Sequence, residues 1–155
     1  MKRKHIFWII FGASWSTAVP IVCITLLFWN PILTRKMVDY YSNDKNYFQY
    51  EATVSRFSKK DGEAAIQLAS IRYIDEGAPT AEGNSNWARV FSRDLDATWN
   101  AFLPEIGLRF KFIGNLRVFY DGGEGAIVSI TVRGETILSF EDGKAALLEW
   151  AKQMR

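Results

Sequence analysis

The sequence predicts a transmembrane helix at its amino end followed by a small β-rich α+β domain, and three observations lead there. From Ile6 to Trp29 no side chain is charged. Those 24 residues would form a helix of roughly 36 Å, enough for a hydrocarbon layer of about 30 Å. Beyond Asn46 the apolar period becomes two, the spacing of half-buried strands. The later segments then follow the order strand, strand, short strand, helix, strand, strand.

Composition bounds the rest. A chain of 155 residues has room for one domain of ordinary size plus a tail. With 48% hydrophobic and 15% aromatic residues it is too apolar for a disordered chain and too varied for a coiled coil. Three of the 19 basic residues, Lys2, Arg3 and Lys4, precede the apolar run, and all 17 acidic residues follow it. The part beyond Asn30 therefore carries 16 basic against 17 acidic groups, a net of −1. The basic pI belongs to the leading pentapeptide and gives no argument for nucleic acid.

The domain plan runs in four pieces: a basic flank at 1–5, a transmembrane helix at 6–29, a juxtamembrane linker at 30–46 and a β-rich globular domain at 47–155. Within the span, Ile9, Ile10, Phe11, Leu26 and Leu27 face lipid at no cost. Ser14, Ser16, Thr17 and Thr25 can return their hydroxyls to the helix carbonyls. Pro20 introduces a kink, and Trp8 and Trp29 fit the aromatic belts at the headgroup levels. A cleaved signal is the rival, but its apolar region is usually about 7–15 residues and ends in a small-x-small site. This run ends Leu-Leu-Phe-Trp-Asn-Pro, and no lipobox precedes Cys23. Lys2, Arg3 and Lys4 outweigh Arg35 and Lys36, so the amino terminus is expected in the cytoplasm and the domain outside the cell membrane.

In the linker, Asn30-Pro31 reads as a helix end, and 42–46 as a polar cluster without a periodic face. Phe48, Tyr50, Ala52 and Val54 alternate with polar residues in a first strand; Ser58 to Gly62 supplies turn chemistry, and Ile66 to Tyr73 a second strand. Asp75 to Asn86, with two Gly, one Pro and no large apolar group, reads as a loop. Trp87 to Phe91 is a short strand. Ser92 is expected to cap a helix carrying Leu95, Trp99, Phe102 and Leu103, which Pro104 stops. Leu108, Phe110 and Phe112 alternate in the next strand, Leu116–Tyr120 forms a further one, and Asp121–Gly125 turns into the β-branched run from Ala126 to Val132. Arg133-Gly134-Glu135 leads to a strand over Thr136–Phe140. Asp142 is expected to cap a last helix with its stripe at Ala145, Leu147, Leu148, Trp150 and Ala151. This order favours an OB-like five-stranded barrel; a cystatin-like or NTF2-like α+β sheet is the alternative.

Ile106 to Phe112, Tyr120-Asp121-Gly122-Gly123, Val128-Ser129-Ile130, Gly134 to Gly143 and the Leu-Leu-Glu-Trp helix carry a resemblance, joined by Tyr40-Tyr41 and Asn46-Tyr47. Together they resemble an uncharacterised family of short bacterial single-pass membrane-anchored proteins with an OB-like β domain. The resemblance covers most of the chain and implies an anchor plus one small β domain; its motifs are turns and core positions, not a catalytic signature.

Chemistry is sparse. His5 and Cys23 are the only imidazole and thiol, and neither can reach the domain, so hydrolytic triads and structural zinc are excluded. Asp121 to Gly125 lacks the ladder of an EF-hand and reads as a hairpin turn. Glu51, Glu63, Asp94, Asp96, Glu105, Glu124 and Glu141 form a pool from which a glycosidase pair could be drawn. OB-type barrels bind on strands two and three and the flanking loops, which points to Arg72, Tyr73, Trp87, Arg89 and Tyr120 as a ligand face. The expectation is a non-enzymatic membrane-anchored protein that presents its β domain for binding or as a membrane-complex subunit. The alternative is a carboxylate-dependent hydrolase acting on envelope polymer. No cofactor and no metal are expected. The lipid bilayer and a membrane or envelope protein are the expected partners, and nucleic acid is not.

Overall fold

The computed structural model of the chain describes residues 31–75, 86–117 and 124–154. The segment read as the transmembrane helix, 6–29, lies outside the described residues. Among the described residues no helix is long and apolar enough to cross a membrane.

Residues 31–42 form helix α1, and Asp44–Asn46 a 3-10 turn. Among the described residues six strands and two further helices follow: β1 Phe48–Lys60, β2 Glu63–Tyr73, β3 Trp87–Val90, α2 Leu95–Phe102, β4 Arg109–Asn115, β5 Gly125–Val132, β6 Glu135–Leu138 and α3 Phe140–Gln153. The linker at 30–46 is thus not a passive connector. Met37 and Tyr41, one turn apart, are 0% and 6% exposed, because helical spacing sets both on the face turned to the domain.

β1 and β2 join through Asp61-Gly62, whose φ values of 54° and 78° make the two-residue turn that matches strand twist; glycine reaches that region without a Cβ penalty. Lys60 pairs with Glu63, so β1 runs three residues further than the Ser58–Gly62 turn reading allowed. β1 also pairs antiparallel with β4, β4 with β5, and β2 with β3. The ring closes where β3 lies parallel to β5, Arg89 opposite Ala126 and Val90 opposite Ile127. The result is a small β-rich α+β domain with a closed five-stranded barrel, β1-β2-β3-β5-β4, consistent with an OB-like fold. Closure removes the open cystatin-like or NTF2-like sheet. β6 continues along the same edge of β5 beyond β3.

The barrel interior holds Tyr50, Val54, Ile66, Phe110, Phe112, Ile127 and Ile130, each at most 2% exposed. Phe112 stacks on Tyr50 at 5.1 Å and on Phe110 at 5.4 Å. α2 sends Phe102 into this core, 5.2 Å from Phe110, and Lys59 on β1 ion-pairs with its Asp96. A second core lies outside the barrel, where Ala126 and Val128 of β5 meet Met37, Tyr41, Leu147 and Ala151 of α1 and α3. β5 is therefore covered on both faces, which is why it reads as a continuous apolar run rather than an alternating one. Gly143 makes the closest approach: a Cβ there would sit 2.0 Å from the Val128 carbonyl oxygen.

Buried polar groups in this second core are paired. Asn115 donates from Nδ2 to the Asn46 carbonyl at 2.6 Å and to the Tyr40 hydroxyl at 3.0 Å, and its Oδ1 accepts from the Arg117 N–H at 2.9 Å. Tyr47 donates its hydroxyl to the Tyr41 carbonyl at 2.6 Å. Burial pushes the Tyr47 and Tyr50 hydroxyls well above the ordinary tyrosine range.

Four features differ from the sequence reading. The caps are Asp94, whose Oδ1 accepts from Ala97 N–H at 2.9 Å, and Ser139, whose Oγ accepts from Asp142 N–H at 3.3 Å. Ser92 instead shares a 2.7 Å hydrogen bond with Thr98, and Asp142 accepts from Ser92 and from the Arg93 N–H. The last strand stops at Leu138, because Ser139 caps and Phe140 is already helical. Of the strand expected at Leu116–Tyr120 the described part holds only an isolated bridge at Arg117: β4 ends at Asn115, and 118–120 lie outside the described residues.

Candidate ligand-binding groove

The two-residue turn sets the parity of the β1–β2 hairpin. Lys60 faces Glu63, Ser58 faces Ala65 and Arg56 faces Gln67. Side chains on alternate residues share a face, so Ser58 and Lys60 stand beside Glu63 and Ala65 on the outside of the barrel. β3 adds Trp87 opposite Gln67 and Arg89 opposite Ala65. Glu124, next to the first residue of β5, arrives from the other side because β3 and β5 are parallel neighbours. Ser58, Lys60, Glu63, Ala65, Trp87, Arg89 and Glu124 line an open groove of about 420 Å³.

Arg89 is its organising charge. Nη1 donates to Glu63 Oε1 at 2.8 Å and Nε to Glu124 Oε2 at 3.0 Å. Its guanidinium also lies 5.7 Å from the Trp150 ring centroid, on α3. Trp150 packs on Phe91 at 5.2 Å. The guanidinium is thereby oriented by two carboxylates and one ring. With Lys60 and Arg89 against Glu63 and Glu124, the groove presents both signs of charge and no net excess.

Of the five residues read as a ligand face, the structure brings Trp87 and Arg89 together in this groove. Arg72 and Tyr73 are not part of it. Arg72 lies at the far end of β2, paired in register with Glu51. Tyr73 packs against Tyr50 at 5.2 Å, at the edge of the barrel core. The cause is a bulge: the register shifts between Thr53 and Glu51, and Ser70 sits at φ 51°, which resets the alternation beyond it. Tyr120 lies outside the described residues, as does most of the Asp121–Gly125 loop.

Sequence reasoning missed Ser58, Lys60, Ala65 and Trp150 as neighbours of Arg89. The first three were available from the Asp-Gly turn, since a two-residue loop sets the pairing of every position behind it. Glu63 and Glu124, drawn from the carboxylate pool, do share the groove, but Arg89 stands between them. Among the described residues no group of three or more His, Cys, Asp or Glu is placed to hold a metal ion.

The fold and groove together define a closed five-stranded barrel with an open, mixed-charge face on its second and third strands. No family model matches the chain, and no solved structure matches it. The DNA replication and repair protein RecF of Erwinia tasmaniensis is 32% identical over 98 residues, which is 57% of this chain and 27% of RecF. The chain thus spans about a quarter of that relative's length.

Proposed function

We propose that this chain is a membrane-anchored, non-enzymatic binding protein. Its barrel engages a polypeptide segment of a membrane or envelope partner through the β1–β2–β3 groove. The observation that carries the reading is the Trp87–Arg89 pair, adjacent outward positions on one short strand, with Arg89 already held by Glu63 and Glu124. Trp and Arg in an oriented, partly desolvated patch are the residue types that dominate protein interfaces. Pre-paired carboxylates also lower the entropy lost when Arg89 is engaged. Balanced charge suits a polypeptide better than a polyanion, which needs a net basic stripe. The uncharged run from Ile6 to Trp29 and the resemblance to single-pass anchored proteins supply the membrane part of the proposal. The hydrolase alternative is less well supported, because Arg89 occupies the space between the two groove carboxylates that a scissile bond would need.

Two measurements test it. Detergent-free fractionation of cells should recover the full-length chain with membranes, and added protease should reach the domain from outside; recovery in the soluble fraction overturns the anchor. A photo-crosslinking residue at Ser58 in the full chain should give a discrete protein adduct that one at Lys111 does not. Trp87→Ala should abolish that adduct without loss of membrane recovery. An absent adduct, or one indifferent to Trp87→Ala, overturns the groove as the partner site.

A further inference from the structure

α1 and α3 lie antiparallel on the outer face of β5, and they are tied at both ends. At one end the Thr34 hydroxyl donates to the Met154 carbonyl at 2.5 Å; at the other, Lys144 ion-pairs with Asp44. Between the ties, Met37, Tyr41, Leu147 and Ala151 are buried against one another and against β5. The last turn of α3 is therefore held level with the first turn of α1.

That level is set by chain length. With the span read as ending at Trp29, Thr34 follows five residues later, about 7 Å on if the backbone stays helical and at most about 18 Å if fully extended. The headgroup layer beyond the hydrocarbon is itself roughly 5–7 Å deep on each side. The surface at this end has a matching composition. Ile32 and Met154, two of the described chain's exposed large apolar side chains, are 51% and 37% exposed here. Around them Arg35, Lys36 and Lys152 are exposed. Apolar side chains ringed by cations favour the boundary between acyl chains and anionic headgroups over water.

We infer that the first turn of α1 and the last turn of α3 form a single bilayer-contacting face that docks on anionic headgroups, so that the barrel rides on the membrane in one orientation. The inference rests on the anchor reading above and adds to it a second, surface contact made by α3, which is distant in sequence from the span. A flexible tether would leave α3 free of lipid; the Thr34–Met154 tie and the buried α1–α3 seam do not.

The test uses the full chain with Cys23→Ser and a single fluorophore at Gln153→Cys, or at Asn100→Cys on α2 as control. Each is reconstituted in nanodiscs with or without about one-third phosphatidylglycerol, a composition chosen to give a strongly negative surface. A headgroup-attached quencher should dim the label at position 153 at least threefold more than at position 100 in the anionic discs. Arg35→Glu, Lys36→Glu and Lys152→Glu together should remove most of that difference. Equal quenching at the two positions, or a difference unchanged by the triple reversal, overturns the docking face while the chain stays in the disc. A chain that never enters the disc overturns the anchor instead, so the two failures are distinct.

Discussion

The two outer faces of the barrel are used in opposite ways. On β5, small side chains at Ala126 and Val128 and a glycine on the facing helix let α3 settle onto the strand, and α1 completes the cover. On β2 and β3, charged and aromatic side chains at Glu63, Trp87 and Arg89 stand outward, and among the described residues the groove they line is open, with only Trp150 of α3 reaching Arg89. The interior is common to both, so the difference lies in what each strand carries on its other side. Burial on the β5 face is apolar and supports the fold. Ion pairs on the β2–β3 face are worth little to stability, roughly 0–1 kcal/mol each. The same ion pairs hold Arg89 in place.

The largest effect should come from the covered face. Gly143→Ala places a Cβ against the Val128 backbone and must push α3 off β5. A loss of about 3 kcal/mol is expected in urea titrations of the full chain in nanodiscs. A midpoint that does not move would dissolve the contrast between the faces.

An intermediate effect is set by pH and sharpens what the two cores share. Tyr47 in the outer core and Tyr50 in the barrel both have their hydroxyl pKa raised by burial. Their contribution is complete below about pH 10, where the unfolded chain also keeps its phenolic protons. Above it the unfolded state releases protons that the folded state retains, so stability falls, by up to about 1.4 kcal/mol per pH unit for each tyrosine. Tyr50→Phe combined with Tyr47→Phe should flatten the decline between pH 10 and 11. An equally steep decline in the double variant would contradict the assignment.

The smallest stability effect belongs to the open face. Arg89→Met removes both ion pairs while keeping an apolar stem near Trp150, and should cost about 1 kcal/mol or less. A loss near that of Gly143→Ala would make Arg89 a structural strut and remove the argument for a binding groove.

Much of the barrel is legible in residues that act locally. Phe48 to Val54 alternates, Asp61-Gly62 dictates a two-residue turn, Leu95, Trp99 and Phe102 recur at helical spacing, and the stripe through Leu147 and Ala151 marks α3. The cap positions were ambiguous because Ser92 and Asp94, and likewise Ser139 and Asp142, are all capable acceptors within one turn. Which one caps depends on the backbone angle at which the chain enters the helix. Tyr73 was misread as outward because the bulge at Ser70 is made by a residue with no special preference for positive φ. α1 was misread because Pro31 and the polar cluster at 42–46 suggest a break, whereas burial of Met37 and Tyr41 against α3 stabilises the helix.

Sequence alone determined the periodic elements, the hairpin turn chemistry, the uncharged run at 6–29 and the scarcity of catalytic side chains, because each depends on neighbours a few residues apart. Tertiary structure decided the rest. Closure of the ring through the parallel β3–β5 pair brings Glu124 to Arg89 across 35 residues, and the α1–α3 seam brings Thr34 to Met154 across 120. Such contacts depend on which strand edges and helix faces meet once the whole chain has folded, and no local pattern of residues encodes them.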